Sequence, residues 1–281
     1  HLLCQATRQH VSVALGGDGA DELLLGYPNF RVLRYAKLLQ RLPHRLGKFA
    51  EQMAGVIPQS TGYMNAAFLL RQLSYGFGVP ANMQSVYWMS AIAAREQDDL
   101  WIGDDARDQK IFDQLSEQVS SPGGVSLVEA CQQHFLKFYL PFDILRKTDR
   151  ASMYSSLEVR APYLSSAVAQ YALSLPHAAL YRRNTGKRIL RSVAQRYLPP
   201  ATIDRRKHGF ALPVSSLVRG DLRDLVERVL LDNSNPIYAY LHRSKVLEYW
   251  DQHVSEKRDQ GKKLWALFML ASYFDRQFRG T

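Results

Sequence analysis

The sequence predicts a mainly α-helical chain carrying one strand of an α/β, parallel-sheet architecture. Three observations lead there. One short β-branched run, Val11-Ser12-Val13-Ala14-Leu15, ends in Gly16-Gly17-Asp18-Gly19, the pattern of a buried strand followed by a glycine turn. Beyond it, strand signals almost vanish and apolar residues recur at helical spacing. Over 281 positions, 46% hydrophobic residues give ample apolar mass for a core. A lone strand cannot satisfy its own backbone, so its sheet partners are expected outside this chain.

After the glycine turn, Asp21-Glu22 leads into Leu23-Leu24-Leu25, where acidic residues suit the first turn of a helix. Residues 31–55 carry a helical pattern broken near Pro43. Residues 65–73 and 85–95 read as further helices, separated by the breaker run 76–80. A polar helix over 106–119 closes in the loop Ser120-Ser121-Pro122-Gly123-Gly124. Ser126 then caps a helix over 127–139, with Glu129 at the capping-box position. Pro141 restarts the chain into a helix over 143–156, and helices over 165–174 and 187–197 precede a loop at Pro199-Pro200. Helices over 222–231, 244–257 and 262–278 finish the chain. The organisation expected is residues 1–30 as the end of the sheet with its glycine loop and 31–281 as the helical remainder of the same domain.

The 22% charged and 11% aromatic fractions exclude disorder, and no apolar run approaches the roughly 18 residues of a membrane span. Cys4 and Cys131 cannot build a disulfide framework, which points to a reducing, cytoplasmic compartment. The chain opens at His1 with neither Met nor a signal segment, as expected for part of something longer.

Charge is unevenly spread. Of the net +10, residues 143–210 hold 13 basic against four acidic residues, a balance of +9. Such a field attracts phosphates, nucleotides or nucleic acid, although scattered arginines on a solvated helical surface give the same count.

Three stretches could carry chemistry. Gly16, Gly17, Asp18 and Gly19, with Asp21, stand at the carboxyl end of the strand, where open parallel sheets bind ligands. Glycines let backbone N–H groups approach an anion, and carboxylates beside a phosphate call for a bridging Mg²⁺. The plainer alternative is that Asp18 or Asp21 caps the helix. In the second stretch, Asp143, Lys147 and Arg150 share a helical face, and Glu158 and Arg160 alternate in an extended segment before Pro162. A buried polar network beside a site and surface pairing fit this pattern equally. The third stretch joins Thr185-Gly186-Lys187-Arg188 to Asp204-Arg205-Arg206-Lys207-His208-Gly209-Phe210, a loop that can close over a ligand. Lys207 could act as a point charge on a phosphoryl group, or the stretch is a basic helix end. There is no zinc-protease His spacing, nucleophile elbow or Walker A sequence, and the aromatics of Leu264-Trp265-Ala266-Leu267-Phe268-Met269-Leu270 read as core.

Together these blocks resemble the synthetase domain of glutamine-hydrolysing asparagine synthetases. The matching stretches are VALGGDGADELLLGYP (13–28), LPFDILRKTDRASMYSSLEVRAPYL (140–164), GKRILR (186–191), YLPPATIDRRKHGFALP (197–213) and the terminal LWALFML. Residues 31–124 match more loosely. The resemblance implies an α/β fold of the adenine nucleotide alpha-hydrolase-like kind. It also implies that ATP adenylates the aspartate side chain, releasing pyrophosphate, and that ammonia displaces AMP to give asparagine. A glutaminase domain supplies the ammonia. It places the backbone of Gly16, Gly17, Asp18 and Gly19 at ATP, Asp21 on Mg²⁺, Lys207 at pyrophosphate and the adenylation transition state, and Glu158 and Arg160 near the acceptor.

The departures are specific. Gly16 stands where many relatives have Ser, and Leu24-Leu25-Gly26 replaces the commoner Phe-Gly-Gly. The Ser-Gly-Gly-x-Asp-Ser pyrophosphate loop and the glutaminase domain are not in these 281 residues. With them go the second Mg²⁺ carboxylate and most of the adenine site, so the chain alone is expected to be weakly active or inactive. Aspartate is the first acceptor to consider, with a sugar acid of surface-polysaccharide biosynthesis as the alternative. The resemblance allows a homodimer. A nucleic-acid module is the weaker reading of the basic segment, which lacks interleaved exposed aromatics.

Overall fold

The computed structural model describes residues 1–43, 45–47, 49–50, 53, 66–103, 114, 117, 126–183, 185–203 and 212–279. In chain order the elements are α1 (Leu2–Arg8), β1 (Val13–Leu15), α2 (Ala20–Leu23), α3 (Asn29–Val32), α4 (Ala36–Gln40), α5 (Ala66–Ser74), α6 (Gln84–Met89) and α7 (Ala94–Leu100). Next come α8 (Leu127–His134), a π-helical stretch Phe135–Leu145, α9 (Arg146–Met153), β2 (Glu158–Arg160), α10 (Ser166–Ser174), α11 (His177–Leu180), α12 (Arg188–Ala194) and α13 (Pro200–Ile203). Last are α14 (Val214–Arg219), α15 (Arg223–Leu230), α16 (Arg243–Val254) and α17 (Gly261–Arg279). The helix over 106–119, the loop 120–124 and the basic loop 204–210 expected from sequence lie outside the described residues, apart from single positions.

The chain is mainly helical, with a small parallel sheet. The sheet differs from expectation in having two strands among the described residues. Val13, Ala14 and Leu15 pair in parallel with Glu158, Val159 and Arg160, and Gly16 N–H extends the ladder by donating to the Arg160 carbonyl at 2.8 Å. Sequence pattern missed β2 as a strand because two of its three residues are charged and its partner is remote. A second difference is at Pro141. Rather than restarting the chain, it sits inside the π-helical stretch, which runs without a break from α8 into α9. A widened π turn tolerates the missing N–H that would break an α-helix.

Two compact units divide the described chain. The first comprises residues 1–37, 81–85 and 116–207; the second comprises 38–80, 86–115 and 208–281. In the first unit, Ser126 Oγ accepts from the Glu129 N–H at 3.2 Å and starts α8 where the sequence placed its cap. Tyr27 stacks on Phe135, with ring centroids 4.4 Å apart, fixing the stretch after α2 against the π segment. In the second unit, α17 packs against α14, α15, α16 and the turn Pro236–Ala239. Leu264, Leu267 and Phe268 of α17 join Leu100, Val226, Leu230, Val246 and Tyr249 in one buried cluster, as the terminal apolar pattern predicts. No described helix is long and apolar enough to cross a membrane, and both cysteines are free.

Candidate functional site

The expected site residues of the first unit gather at the carboxyl end of the strand pair. Gly16 leaves β1 beside β2, and a Cβ there would meet Val159 Cγ1 at 3.3 Å. Gly17 faces open space. Gly19 adopts φ +88°, and a Cβ on it would lie 2.2 Å from Leu164 Cδ2, so only glycine fits. This left-handed turn has a consequence for the two acids around it. Asp18 and Asp21 would share a face on a continuous helix, but the turn at Gly19 separates them.

Asp18 lines a cavity of about 310 Å³ with Asp149 and Glu158, two hydroxyl residues (Thr148 and Ser152) and an apolar wall of Leu145, Met153, Val159 and Ala161. No basic residue is among these. Asp21 instead faces the turn at Gly26, with its Oδ1 3.0 Å from Lys187 Nζ. Its neighbour Glu22 is buried and accepts from the Tyr27 hydroxyl at 2.6 Å. Burial and this carboxylate push the Tyr27 phenol far above its ordinary value. Gln132 Nε2 donates to the Glu22 and Leu23 carbonyls at 3.2 and 3.1 Å, tying off α2 after its single turn. So short a helix sums little macrodipole, and the loop's chemistry rests on backbone N–H groups and side chains.

Lys187 is brought to Asp21 by two loops stitched together. Its N–H donates to the Leu24 carbonyl at 2.8 Å, and a Cβ on Gly186 would lie 2.1 Å from the Leu25 carbonyl oxygen. Leu25 and Lys187 both adopt left-handed backbone, φ +54° and +53°. Each costs on the order of 1–3 kcal/mol, strain that persists only where surrounding contacts overdetermine it.

Of the second stretch, Glu158 and Arg160 lie on the same face of β2, with Arg160 Nε donating to Glu158 Oε1 at 2.7 Å. Both side chains are more than half exposed. Asp143, Lys147 and Arg150 are exposed, and no ion pair joins them among the described residues. The solvated-surface alternative fits that face. The face of the same segment that does line the cavity is Leu145, Thr148, Asp149 and Ser152, spaced i, i+3, i+4, i+7. Sequence reasoning singled out the charged stripe without deciding its role and assigned none to Asp149 and Ser152. It also missed Lys187 as the partner of Asp21, although Gly186-Lys187 was in view. Lys207 lies outside the described residues. No group of three or more His, Cys, Asp or Glu is arranged to hold a metal ion among the described residues.

Comparison with known proteins then decides the lineage. The asparagine synthase family matches residues 1–275. The chain belongs to the asparagine synthase family. Over 270 residues it is 26% identical to asparagine synthetase [glutamine-hydrolyzing] 1 of Bacillus subtilis, covering 96% of this chain and 41% of that protein. Over 275 residues it is 27% identical to a putative asparagine synthetase [glutamine-hydrolyzing] of Mycobacterium tuberculosis, covering 96% and 40%. This asparagine synthase-family chain therefore spans about two fifths of the length of the curated relatives it matches.

Proposed function

We propose that the protein joins ammonia to a carboxylate in an ATP-dependent amidation, aspartate being the acceptor and asparagine the product. The observation that carries this reading is the glycine turn 16–19 at the carboxyl end of a parallel strand pair, where sheets of this kind bind ligands. The side-chain carboxylate of aspartate attacks the α-phosphorus of ATP and pyrophosphate leaves. Ammonia then attacks the acyl carbon and AMP leaves, giving asparagine and a proton.

In this reading Gly16 and Gly17 admit the nucleotide to the backbone, within an adenine nucleotide alpha-hydrolase-like sheet. The Asp21 carboxylate would hold Mg²⁺, whose oxygen preference suits one carboxylate with phosphate and water ligands. That ion, when bound, neutralises charge on the phosphates. Lys207 would stand opposite the charge that develops on pyrophosphate. The cavity beside Asp18, lined by three carboxylates and no base, suits ammonium or an α-amino group better than a second carboxylate. Glu158, steadied by Arg160, presents its carboxylate to that amine. Ammonia would come from a glutaminase domain outside these residues, and further strands would complete the sheet. A homodimer working in the cytoplasm is part of the same reading.

The test is pyrophosphate release by the full-length protein with ATP, Mg²⁺, ammonia and aspartate, the product identified by mass spectrometry. Aspartate-dependent release with asparagine formed supports the proposal. Release only with another carboxylate, sugar acids first, keeps the amidation and overturns the acceptor. No release with any carboxylate overturns the reading.

A further inference from the structure

The basic residue at position 187 is poorly explained by its own helix. Lys187 occupies the N-cap of α12 in left-handed backbone and makes no capping hydrogen bond. Glycine would meet that φ without strain, Ser or Asp would cap, and a positive charge at a helix N-terminus is unfavourable. A residue that breaks three local rules at once is held by something else. Here it is the Asp21 carboxylate, 3.0 Å from Nζ, in a corner open only because Gly26 has no side chain: a Cβ there would lie 2.1 Å from Asp21 Oδ1. Both partners keep about a quarter of their side-chain surface in contact with solvent, so a ligand can reach the pair.

We propose that Lys187 is an exchangeable counter-cation for Asp21: it holds the carboxylate in the nucleotide-free protein, gives it up to a divalent cation, and moves its ammonium to the nucleotide phosphates. This rests on the reading above that Asp21 meets Mg²⁺. A divalent ion on Asp21, even at the second carboxylate oxygen, brings two more positive charges within a few ångströms of the ammonium, and that repulsion favours its displacement. Nucleotide phosphates bound to that ion then lie within a few ångströms, well inside the swing of a four-carbon stem ending in a point charge. The exchange makes or breaks no covalent bond. It keeps Asp21 neutralised before the nucleotide arrives and supplies positive charge to the phosphates afterwards.

The exchange gives Lys187 opposite effects on two ligands, which a merely structural ion pair would not. With the full-length protein, Lys187→Met should bind Mn²⁺ alone roughly three- to tenfold more tightly, because the competing cation is gone. The same variant should bind ATP in EDTA about tenfold more weakly, because a charged hydrogen bond to phosphate is lost. Lys187→Arg should restore ATP binding to near wild type, and adding Asp21→Asn to Lys187→Met should abolish the gain in Mn²⁺ affinity. Should Lys187→Met not fold, the wild type answers the same question through amine acylation read by mass spectrometry. Labelling of Lys187 should rise with Mg²⁺ alone and fall again when ATP is added. Only this opposed pair of changes supports the exchange; parallel changes, no change, or constant labelling overturn it. Wild-type protein that binds no ATP overturns the proposed function and this inference with it. ATP-binding wild type with an indifferent Lys187→Met overturns this inference alone.

Discussion

The two units solve different problems with similar amounts of chain. The second unit balances 18 basic against 17 acidic residues and closes on a dry core around α17, with Leu264 and Ala271 fully buried. The first carries 18 basic against nine acidic residues, hence nearly all of the chain's excess charge, and it carries the candidate site. Among the described residues its sheet has two strands of three residues. Val13 and Leu15 of β1 are 41% and 75% exposed, and α1 buries nothing, with Leu2 and Leu3 at 80% and 76%. Parallel sheets are ordinarily covered on both faces. The contrast teaches that charge, not apolar cover, separates the two units, since each leaves large hydrophobic side chains exposed, Leu15 and Tyr154 in the first, Leu212 and Phe278 in the second.

The largest effect should come from breaking the most enclosed charge pair among the described residues of the second unit. Lys263 Nζ donates to Glu96 Oε1 and Oε2 at 2.5 and 2.7 Å and lies 4.8 Å from the Tyr249 ring centre, all three residues being buried. Glu96→Ala leaves the ammonium without this carboxylate in a low-dielectric site and should cost about 3–5 kcal/mol. All four tryptophans lie in this unit, so denaturant unfolding followed by their fluorescence reads it selectively. Glu96→Leu with Lys263→Met should recover most of the loss, since replacing both members of a buried pair is often nearly neutral. A single variant with wild-type stability would show that the pair is solvated and the unit less closed than its burial indicates.

The unevenness between units also governs what could be read in advance. The β1 strand and its glycine turn are legible because strand propensity and left-handed backbone are local properties of Val13-Ala14-Leu15 and Gly19, but the burial expected of that strand is not met, Val13 and Leu15 being exposed. The Ser126 cap and the α17 core stripe are legible for the same reason. The β2 strand is not, because Glu158-Val159-Arg160 becomes a strand only beside β1. On the π-helical stretch and α9 the charged stripe Asp143, Lys147, Arg150 fits a polar network and a solvated surface equally in sequence and is exposed in the fold, while the cavity face reads as ordinary amphipathic pattern until Asp18 lies opposite it. Gly186 shows its purpose only once the Leu25 carbonyl is known to lie where its Cβ would be. Local rules are written in sequence, but the Asp21–Lys187 pair depends on two distant loops and is visible only in the fold.

Acid should distinguish the units next. In the first, His134 is buried, its Nδ1 has no hydrogen-bond partner, and burial pushes its pKa down to about 4. The unfolded chain therefore takes up this proton first, so the stability contributed is complete above about pH 6.5 and is lost as pH falls towards 4, on the order of 3 kcal/mol in all. His253 of the second unit is also lowered, by burial and by Arg219, against the opposing pull of Asp259 and Glu256. Its Nδ1 accepts from the Gln260 N–H at 3.2 Å, a bond that a proton there would abolish. His134→Leu should leave stability at pH 7 nearly unchanged, because no hydrogen bond from Nδ1 is lost. It should flatten the acid slope of the first unit only, read by hydrogen exchange in peptides of α8 and α9. Tryptophan fluorescence should still report acid loss in the second. An unchanged slope in α8 and α9 would mean that His134 opens to water before the unit unfolds.

The smallest stability effect belongs to the pair that matters most to the proposed chemistry. Arg160 pairs with Glu158, which lines the cavity, and their side chains are 66% and 54% exposed, so water screens their attraction. Arg160→Ala should change the unfolding free energy of the first unit by no more than about 0.5 kcal/mol, measured by the same exchange method. Its consequence lies in geometry: the hydrogen bond to Glu158 Oε1 selects one orientation of a carboxylate that has several available. Loss of amide formation at unchanged stability would mark Arg160 as the residue that orients Glu158 for the amine, with the activity of Glu158→Gln falling in the same way. Full activity in Arg160→Ala would reduce the pair to surface chemistry. The acceptor side of the cavity would then rest on Asp18, Asp149 and Glu158 themselves.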